Sequence, residues 1–323
     1  MSLERDEQIL AQVMTDLVEV ETYLAKSLQT GSDDFNELIR PLSAAGGKRL
    51  RARLALLIAI AGKSERHERI PIAAAIEMLH LATLIHDDVL DQAAVRRGVP
   101  AIHCSKGNKV AILSGDYLFA KAFDIVADVG NVACLKAFSF IITSLVEGEF
   151  MQMEDVFKVD QGIDRYLAKT QKKTADFIEA CMELGGILGH WQADDIALLK
   201  RYGHGLGMVF QITDDIMDYS ATSDTTGKPV GKDLREGLIT YPLLSVVTDE
   251  NKEQLIKSVH EIANGAAQDE LIQYVVEHGG VARTLELEAT YRKQAGEALD
   301  ALPEFDGKGM LYDVLNSLAH RKV

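Results

Sequence analysis

Cysteine, proline and tryptophan are scarce in this chain of 323 residues, numbering three, six and one. Cys104, Cys134 and Cys181 are far apart, odd in number and match neither a metal-ligand spacing nor a redox pair. A disulfide framework is thereby excluded and a reducing, cytoplasmic compartment is expected, with each thiol a small buried apolar residue. Basic charge is also short, since 34 Lys and Arg face 49 Asp and Glu for a formal net charge of −15. That balance argues against a broad basic surface for nucleic acid or anionic membrane. No run of about 18 uncharged apolar residues occurs, so no membrane span is expected. The opening MSLERDEQIL lacks the apolar stretch of a secretory signal, and the protein is read as soluble.

What is abundant is Ala, Leu, Ile, Glu, Asp and Lys in long stretches, the residues helices use. An all-α fold is expected. Apolar spacing predicts helices over about 3–29, 48–61, 108–129, 131–155, 163–189 and 194–218. Pro71 is read as opening another through IAAAIEMLHLATLIHDDVLD, apolar enough to be central. The Gly, Thr and Ser rich passage ATSDTTGKPVGKDLREGLITYP then has no helical pattern, and so long a passage usually marks function or disorder. Helices resume near Leu243, broken at Gly265, Gly279-Gly280 and Pro303. With no linker and no shift of composition, residues 1–323 read as a single helical domain.

The pattern Asp-Asp-x-x-Asp occurs twice, as Asp87, Asp88 and Asp91 and as Asp214, Asp215 and Asp218. For this aspartate content one match is expected about 0.2 times by chance and two on the order of 0.01 times, so coincidence is disfavoured. On a helix these positions share a face, so the three carboxylates should converge on one small volume. Each triplet closes a long apolar helix, near the end where the macrodipole prefers cations, and like charges on one turn repel. A cation should sit there, and few carboxylates with oxygen donors suit Mg2+ bridged to substrate phosphates. Asp33-Asp34 and Asp194-Asp195 lack the third carboxylate and read as helix N-terminal caps.

Cationic donors stand in compact places. Gly46-Gly47-Lys48-Arg49-Leu50-Arg51 puts a close-approach turn before a helix whose start carries Lys48 and Arg51, ready for an anion. Arg96-Arg97-Gly98 follows the first triplet by five residues and offers fork geometry for diphosphate oxygens. His80 lies seven residues before Asp87, on the same face. Lys173-Thr174, Lys228 and Lys232 gain weight only together with these.

These motifs together resemble the trans-isoprenyl diphosphate synthases, the polyprenyl synthetase family. The resemblance runs through Gly46-Gly47-Lys48-Arg49, the first triplet, Arg96-Arg97-Gly98, Gly115-Asp116-Tyr117, Gly148-Glu149, Lys173-Thr174, Phe210-Gln211-Ile212-Thr213 with the second triplet, and Gly227-Lys228-Pro229-Val230-Gly231-Lys232-Asp233. It implies an all-helical bundle around a deep central cavity and a homodimer, a heterodimer being the variant. It also implies that Asp87, Asp88 and Asp91 with Asp214, Asp215 and Asp218 hold Mg2+, about three ions per site in relatives, on an allylic diphosphate from opposite walls. Arg96, Lys173, Thr174, Gln211 and Lys228 would assist, with Lys232 nearby. Isopentenyl diphosphate would be held by Lys48, Arg51, Arg97 and His80. Asp87, Asp88, Asp91, Arg96, Lys173, Asp214 and Lys228 are therefore the expected catalytic set. Many relatives carry Lys after the glycine of the last loop, whereas here Gly237 is followed by Leu238.

The expected reaction is ionisation of the allylic C–O bond, attack by the isopentenyl alkene and loss of a proton, giving an all-trans polyprenyl diphosphate. The growing tail should run back from Asp87 along its helix, where Leu79, Ala82 and Thr83 form the floor and no aromatic plug blocks the first turn. From Asp87 to Pro71 is roughly 24 Å of helix, room for about five or six prenyl units, while Met78 and Leu79 would set a stop near four. The expectation is C30 to C40, with C20 open; Phe138 and Phe140 are further floor candidates or ordinary core aromatics.

Three other readings compete. A class I terpene cyclase would not need the Gly-Gly-Lys-Arg turn and usually replaces the second triplet. A catalytic subunit of a heteromeric long-chain synthase would keep all motifs. A non-catalytic helical interaction protein would be expected to lose carboxylates, and all six aspartates are present.

Overall fold

The computed structural model describes residues 2–44, 47–96, 98–220 and 231–319. Long helices dominate: α1 (Ser2–Ser27), α2 (Asp33–Ala44), α3 (Leu50–Ala61) and α4 (Arg66–Leu90) come first. A minimal hairpin of β1 (Val95–Arg96) and β2 (Val99–Pro100) follows, antiparallel with Arg96 opposite Val99. Next are α5 (Ile102–Lys106), α6 (Asn108–Val129), α7 (Val132–Glu154), α8 (Ile163–Thr170), α9 (Asp176–Leu188) and α10 (Ala193–Ser220). The chain ends with α11 (Lys232–Arg235), α12 (Tyr241–Leu244), α13 (Lys252–Ala263), α14 (Asp269–Glu277), α15 (Gly280–Ala301) and α16 (Lys308–Ala319). The fold is all-α. The Gly, Thr and Ser rich stretch 221–230, with Lys228, lies outside the described residues, as do Gly46 and Arg97.

Cys104 is exposed against expectation, while Cys134 and Cys181 are buried, and two helix expectations shift. Pro71 sits inside α4 rather than opening it, because the helix begins a turn and a half earlier, where Glu65 O accepts the Glu68 and Arg69 amides. The buried Arg69 guanidinium, 2.7 Å from Asp16 Oδ2, fixes that early turn and offsets the hydrogen bond proline cannot make. The helix expected over 163–189 is interrupted by one wide turn, Gln171–Ala175, in which the Asp176 amide reaches back to Gln171 O. Such i→i+5 turns cost regular hydrogen bonding and concentrate at functional places.

The residues divide into two compact units, the first comprising 1–139, 181–197 and 304–308 and the second 140–180, 198–303 and 309–323. In the first, α4 is the core. Ile72 to Met78, Leu79 and Ala82 are almost wholly buried, packed with α1, α3 and α6. Each such Ile or Leu stabilises the unit by roughly 1.5–3 kcal/mol. Among the described residues α4 is the one helix long and apolar enough to cross a membrane, and 67% of that window is buried inside the protein. Helix α6 comes unusually close to α4 because Gly115 has no side chain: a Cβ there would stand 2.1 Å from His86 Nε2.

In the second unit Leu234, Ile239, Leu243, Val259 and Val275 gather α11 to α14 around Tyr166 and Tyr219. Beside them Met208, Ile212 and Ile216 of α10 pack on Ala175 in the wide turn. Gly207 allows that approach, since a Cβ there would lie 2.5 Å from Ala175 Cα.

Candidate active site

In the first unit the triplet sits where the sequence puts it, at the C-terminal end of α4. Asp91 is the residue after the last helical turn, its amide 2.8 Å from Asp87 O. Asp87 is half-buried and Asp91 exposed, while Asp88 is buried. Arg96, on β1, donates to Asp88 Oδ1 from Nε at 2.7 Å and Nη2 at 2.5 Å. The hairpin thus brings the first arginine of Arg96-Arg97 onto the triplet as soon as the chain leaves α4. His86, beside Asp87, turns to α6 and donates to Ile112 O at 3.0 Å, with Asp116 at 3.6 Å.

Upstream on the same helix, His80 Nε2 lies 3.4 Å from Arg51 Nη1, so two of the expected diphosphate donors meet. Lys48 is exposed ahead of α3. Between them Arg49 takes a left-handed backbone, φ 46°, and reaches Glu21 at 2.6 Å and Glu77 at 3.2 Å. Burial alone would lower the Arg49 pKa, but the bonds and charges of Glu21 and Glu77 outweigh it and raise it. Glu77 also accepts the Ala52 amide at 3.1 Å. The start of α3, expected to await an anion, already holds one of its first-turn amides on a buried carboxylate. Leu79 and Ala82 are fully buried, and half-buried Thr83 donates to His80 O at 2.8 Å.

In the second unit the triplet lies in the last two turns of α10 rather than at its very end. Asp214 is half-buried and Asp215 buried. Tyr166 Oη donates to Asp215 Oδ2 at 2.5 Å and Gln211 Nε2 to Oδ1 at 3.0 Å. The Oε1 of Gln211 accepts from Thr174 Oγ1 at 3.0 Å. Asp218 accepts the Lys232 and Asp233 amides at 3.0 and 3.2 Å, serving the start of α11. Lys173, in the wide turn, pairs with Glu149 at 2.5 Å, and Lys232 is exposed and pairs with Glu236 at 3.3 Å. Leu238 is half-buried and bonds back to Asp233 O at 2.8 Å.

Burial dominates the electrostatics of this array, and its neighbouring negative charges add to it. Burial, then the charge of Asp233, pushes Asp215 up to about 8, although Tyr166 and Gln211 pull the other way. Burial, then Asp218 and Glu236, lifts Asp233 to about 7. Asp218 is raised as well, chiefly by burial, with the two amides opposing.

The carboxylates of each triplet were expected to converge, yet neither triplet brings its ligand atoms within 4.8 Å of one another, and three of the six aspartates face other partners. Asp88 faces Arg96, Asp215 faces Tyr166 and Asp218 faces backbone amides. Among the described residues, the three ligand-type side chains whose atoms come within 4.8 Å of one another are instead Asp176, Glu179 and His204. That cluster has partners of its own: Asp176 accepts from Ser144 and from Gln171, and Glu179 lies 3.6 Å from Lys200. Sequence reasoning missed Arg49, Glu77, His86, Tyr166 and Asp233. Arg49 and Asp233 stand inside quoted motifs without a role assigned to them; the partners that define Arg49, Glu77, His86 and Tyr166 lie 25 or more residues distant.

Comparison with known proteins supplies the remaining observations. Residues 32–278 match the family model described as polyprenyl synthetase. The chain is 34% identical over 299 residues to heptaprenyl diphosphate synthase component 2 of Geobacillus stearothermophilus, covering 93% of each. It is 32% identical over 326 residues to octaprenyl diphosphate synthase of Escherichia coli K12, covering 99% of this chain and 98% of the relative. A crystal structure of polyprenyl synthase from Caulobacter crescentus CB15, complexed with calcium and isoprenyl diphosphate, superposes with a TM-score of 0.89 at 29% identity, covering 98% of both.

Proposed function

The chain belongs to the polyprenyl synthetase family, and from that premise we propose a Mg2+-dependent prenyltransferase that condenses isopentenyl diphosphate with an allylic prenyl diphosphate, head to tail, to an all-trans product of C30 to C40. The observation that carries it is Arg96 on Asp88, a diphosphate-type donor held on a complete Asp-rich array. A hard divalent cation fits the donor set, because the carboxylates around Asp215 are raised by burial and then by one another's charge and offer oxygen only. Asp87, Asp88 and Asp91 on α4 would hold such an ion, and so would Asp214, Asp215 and Asp218 on α10, directly or through its waters. When bound, Mg2+ supplies Lewis-acid stabilisation of the charge that develops on the leaving diphosphate.

The protein's own groups do the rest. Arg96, Lys173, Thr174, Gln211 and Lys228 orient the allylic diphosphate, and their fixed dipoles and charges meet the negative charge released as the C–O bond ionises. Lys48, Arg51, Arg97 and His80 hold isopentenyl diphosphate, whose alkene attacks the cationic carbon. The released diphosphate takes the proton then lost. The apolar stretch of α4 excludes water that would quench the cation, and small Ala82 with Thr83 favours a product beyond C15.

The same reading makes the chain a single domain acting as a homodimer in the cytoplasm. Unit boundaries falling inside α7, α9 and α10 support the first, exposed Ile112 and Leu113 on α6 the second, and three free cysteines the third. The name of the Geobacillus relative, a component 2, favours a second reading as one subunit of a heteromeric synthase. The test is the purified chain with Mg2+, isopentenyl diphosphate and a C15 primer, with product length read by mass spectrometry. Elongation to C30–C40 is expected, and no elongation at any length overturns the proposal. Activity that appears only with a second small helical protein would assign the chain to the heteromeric class.

A further inference from the structure

Tyr166 belongs to no motif, yet it is 2% exposed and its hydroxyl is spent on a carboxylate of the second array. It lies on α8, 49 residues from Asp215, so the contact is tertiary. The bond is the first of three in a line. Tyr166 donates to Asp215, Gln211 donates to the other Asp215 oxygen, and Thr174 donates to Gln211. The line therefore fixes the Gln211 amide at both ends, nitrogen toward Asp215 and oxygen toward Thr174. Thr174 has given its single hydroxyl proton to Gln211 and can only accept from other partners. It sits in the wide turn Gln171–Ala175, next to Lys173.

We propose that Tyr166 is a positioning residue for metal and diphosphate binding: by holding Asp215 it sets the face of α10 that carries Asp214, and through Gln211 and Thr174 it sets the turn that carries Lys173. This rests on the reading of the chain as a prenyltransferase and gives Asp215 and Thr174, beside their proposed contacts to metal and diphosphate, the further task of orienting the array. Asp215 accepts one protein donor on each oxygen, which leaves lone pairs for a metal or its waters, and donors of this kind commonly orient metal ligands. Removing the hydroxyl leaves one Asp215 oxygen without its donor and loosens the carboxylate on which Gln211 is anchored, so the loss should reach metal binding before it reaches global stability.

The experiment uses the full chain with Tyr166→Phe. Mn2+ binding in the presence of inorganic pyrophosphate, read by electron paramagnetic resonance, should weaken about tenfold. In the assay, KM for the allylic diphosphate should rise about tenfold while KM for isopentenyl diphosphate stays within about twofold. Thr174→Val should show the same split, and the double variant should be little worse than either single one, because both cut one line of bonds. Wild-type Mn2+ binding by Tyr166→Phe, equal losses for both substrates, or additive effects in the double variant would overturn the proposal. If Tyr166→Phe does not fold, Thr174→Val alone decides by the same readings. A parent chain that binds Mn2+ and pyrophosphate but elongates nothing would sink the prenyltransferase reading while the Mn2+ comparison still judges Tyr166.

Discussion

Arg96 places both Nε and Nη2 on a single oxygen of Asp88, at 2.7 and 2.5 Å, and Asp88 is buried while Arg96 is partly open to solvent. An arginine expected on a substrate diphosphate is therefore held on a carboxylate expected at a metal. The arrangement cancels one of the three negative charges of the triplet and keeps the guanidinium on the site.

Asp88→Ala should lower turnover by at least about a hundredfold with the helical circular dichroism unchanged, the order expected when a preorganised electrostatic group is lost. Arg96→Ala should lower turnover comparably and also cost about 1–2 kcal/mol of stability, since it strands a buried carboxylate, with the figure reduced for partial exposure of the arginine. Steady-state kinetics and urea unfolding measure the two. Turnover near that of the parent in either variant would contradict the assignment.

Gly115→Ala tests the approach of α6 to α4. The added methyl would stand 2.1 Å from His86 Nε2, so ring or helix must move. Overpacking of this kind costs about 1–3 kcal/mol. A fall in the unfolding midpoint is expected, together with reduced turnover, because His86 adjoins Asp87. An unchanged midpoint would mean that the ring swings aside freely.

His204 should make stability fall in mild acid. Burial lowers its pKa below the ordinary value, with Asp176 opposing, while Glu179 at 3.7 Å and Lys200 on the preceding turn also face it. Below about pH 6.5 the unfolded chain binds a proton that the folded ring resists, so stability drops as pH falls and levels off beneath the folded pKa. Thermal unfolding between pH 7.5 and about 5 should show a shallower slope in His204→Gln than in the parent. Parallel slopes would remove His204 as the cause.

Thr83→Phe should shorten the product. Thr83 is one helical turn from Asp87 and half-buried, so an aromatic ring there meets the tail after few additions. Mass spectrometry should move the main product from C30–C40 toward C15–C20 with turnover on the first addition retained. An unchanged product would place the tail elsewhere than along α4.

Several features could be read from one dimension because they are local. Helix periodicity placed α4, α6, α7 and α10 to within a few residues apart from the true start of α4, which depends on the Arg69–Asp16 pair. The triplets on α4 and α10 and the place of Arg96 five residues beyond the first are likewise matters of spacing, whereas the hairpin that carries Arg96 reads in one dimension only as a loop. The wide turn at Lys173 and Thr174 escaped, because the amphipathic pattern of 163–189 continues through it and its stability depends on Ala175 packing at Gly207.

The amino-acid sequence by itself therefore determined the helical class, the six aspartates and their position near helix ends, all properties of near neighbours along the chain. Tertiary structure decided which carboxylate is held and by what. Asp88 is taken by Arg96, eight residues on, Asp215 by Tyr166, 49 residues back, and Glu77 by Arg49 and the Ala52 amide, 28 and 25 residues back. A buried carboxylate must find donors wherever packing supplies them, and packing joins residues that periodicity keeps apart.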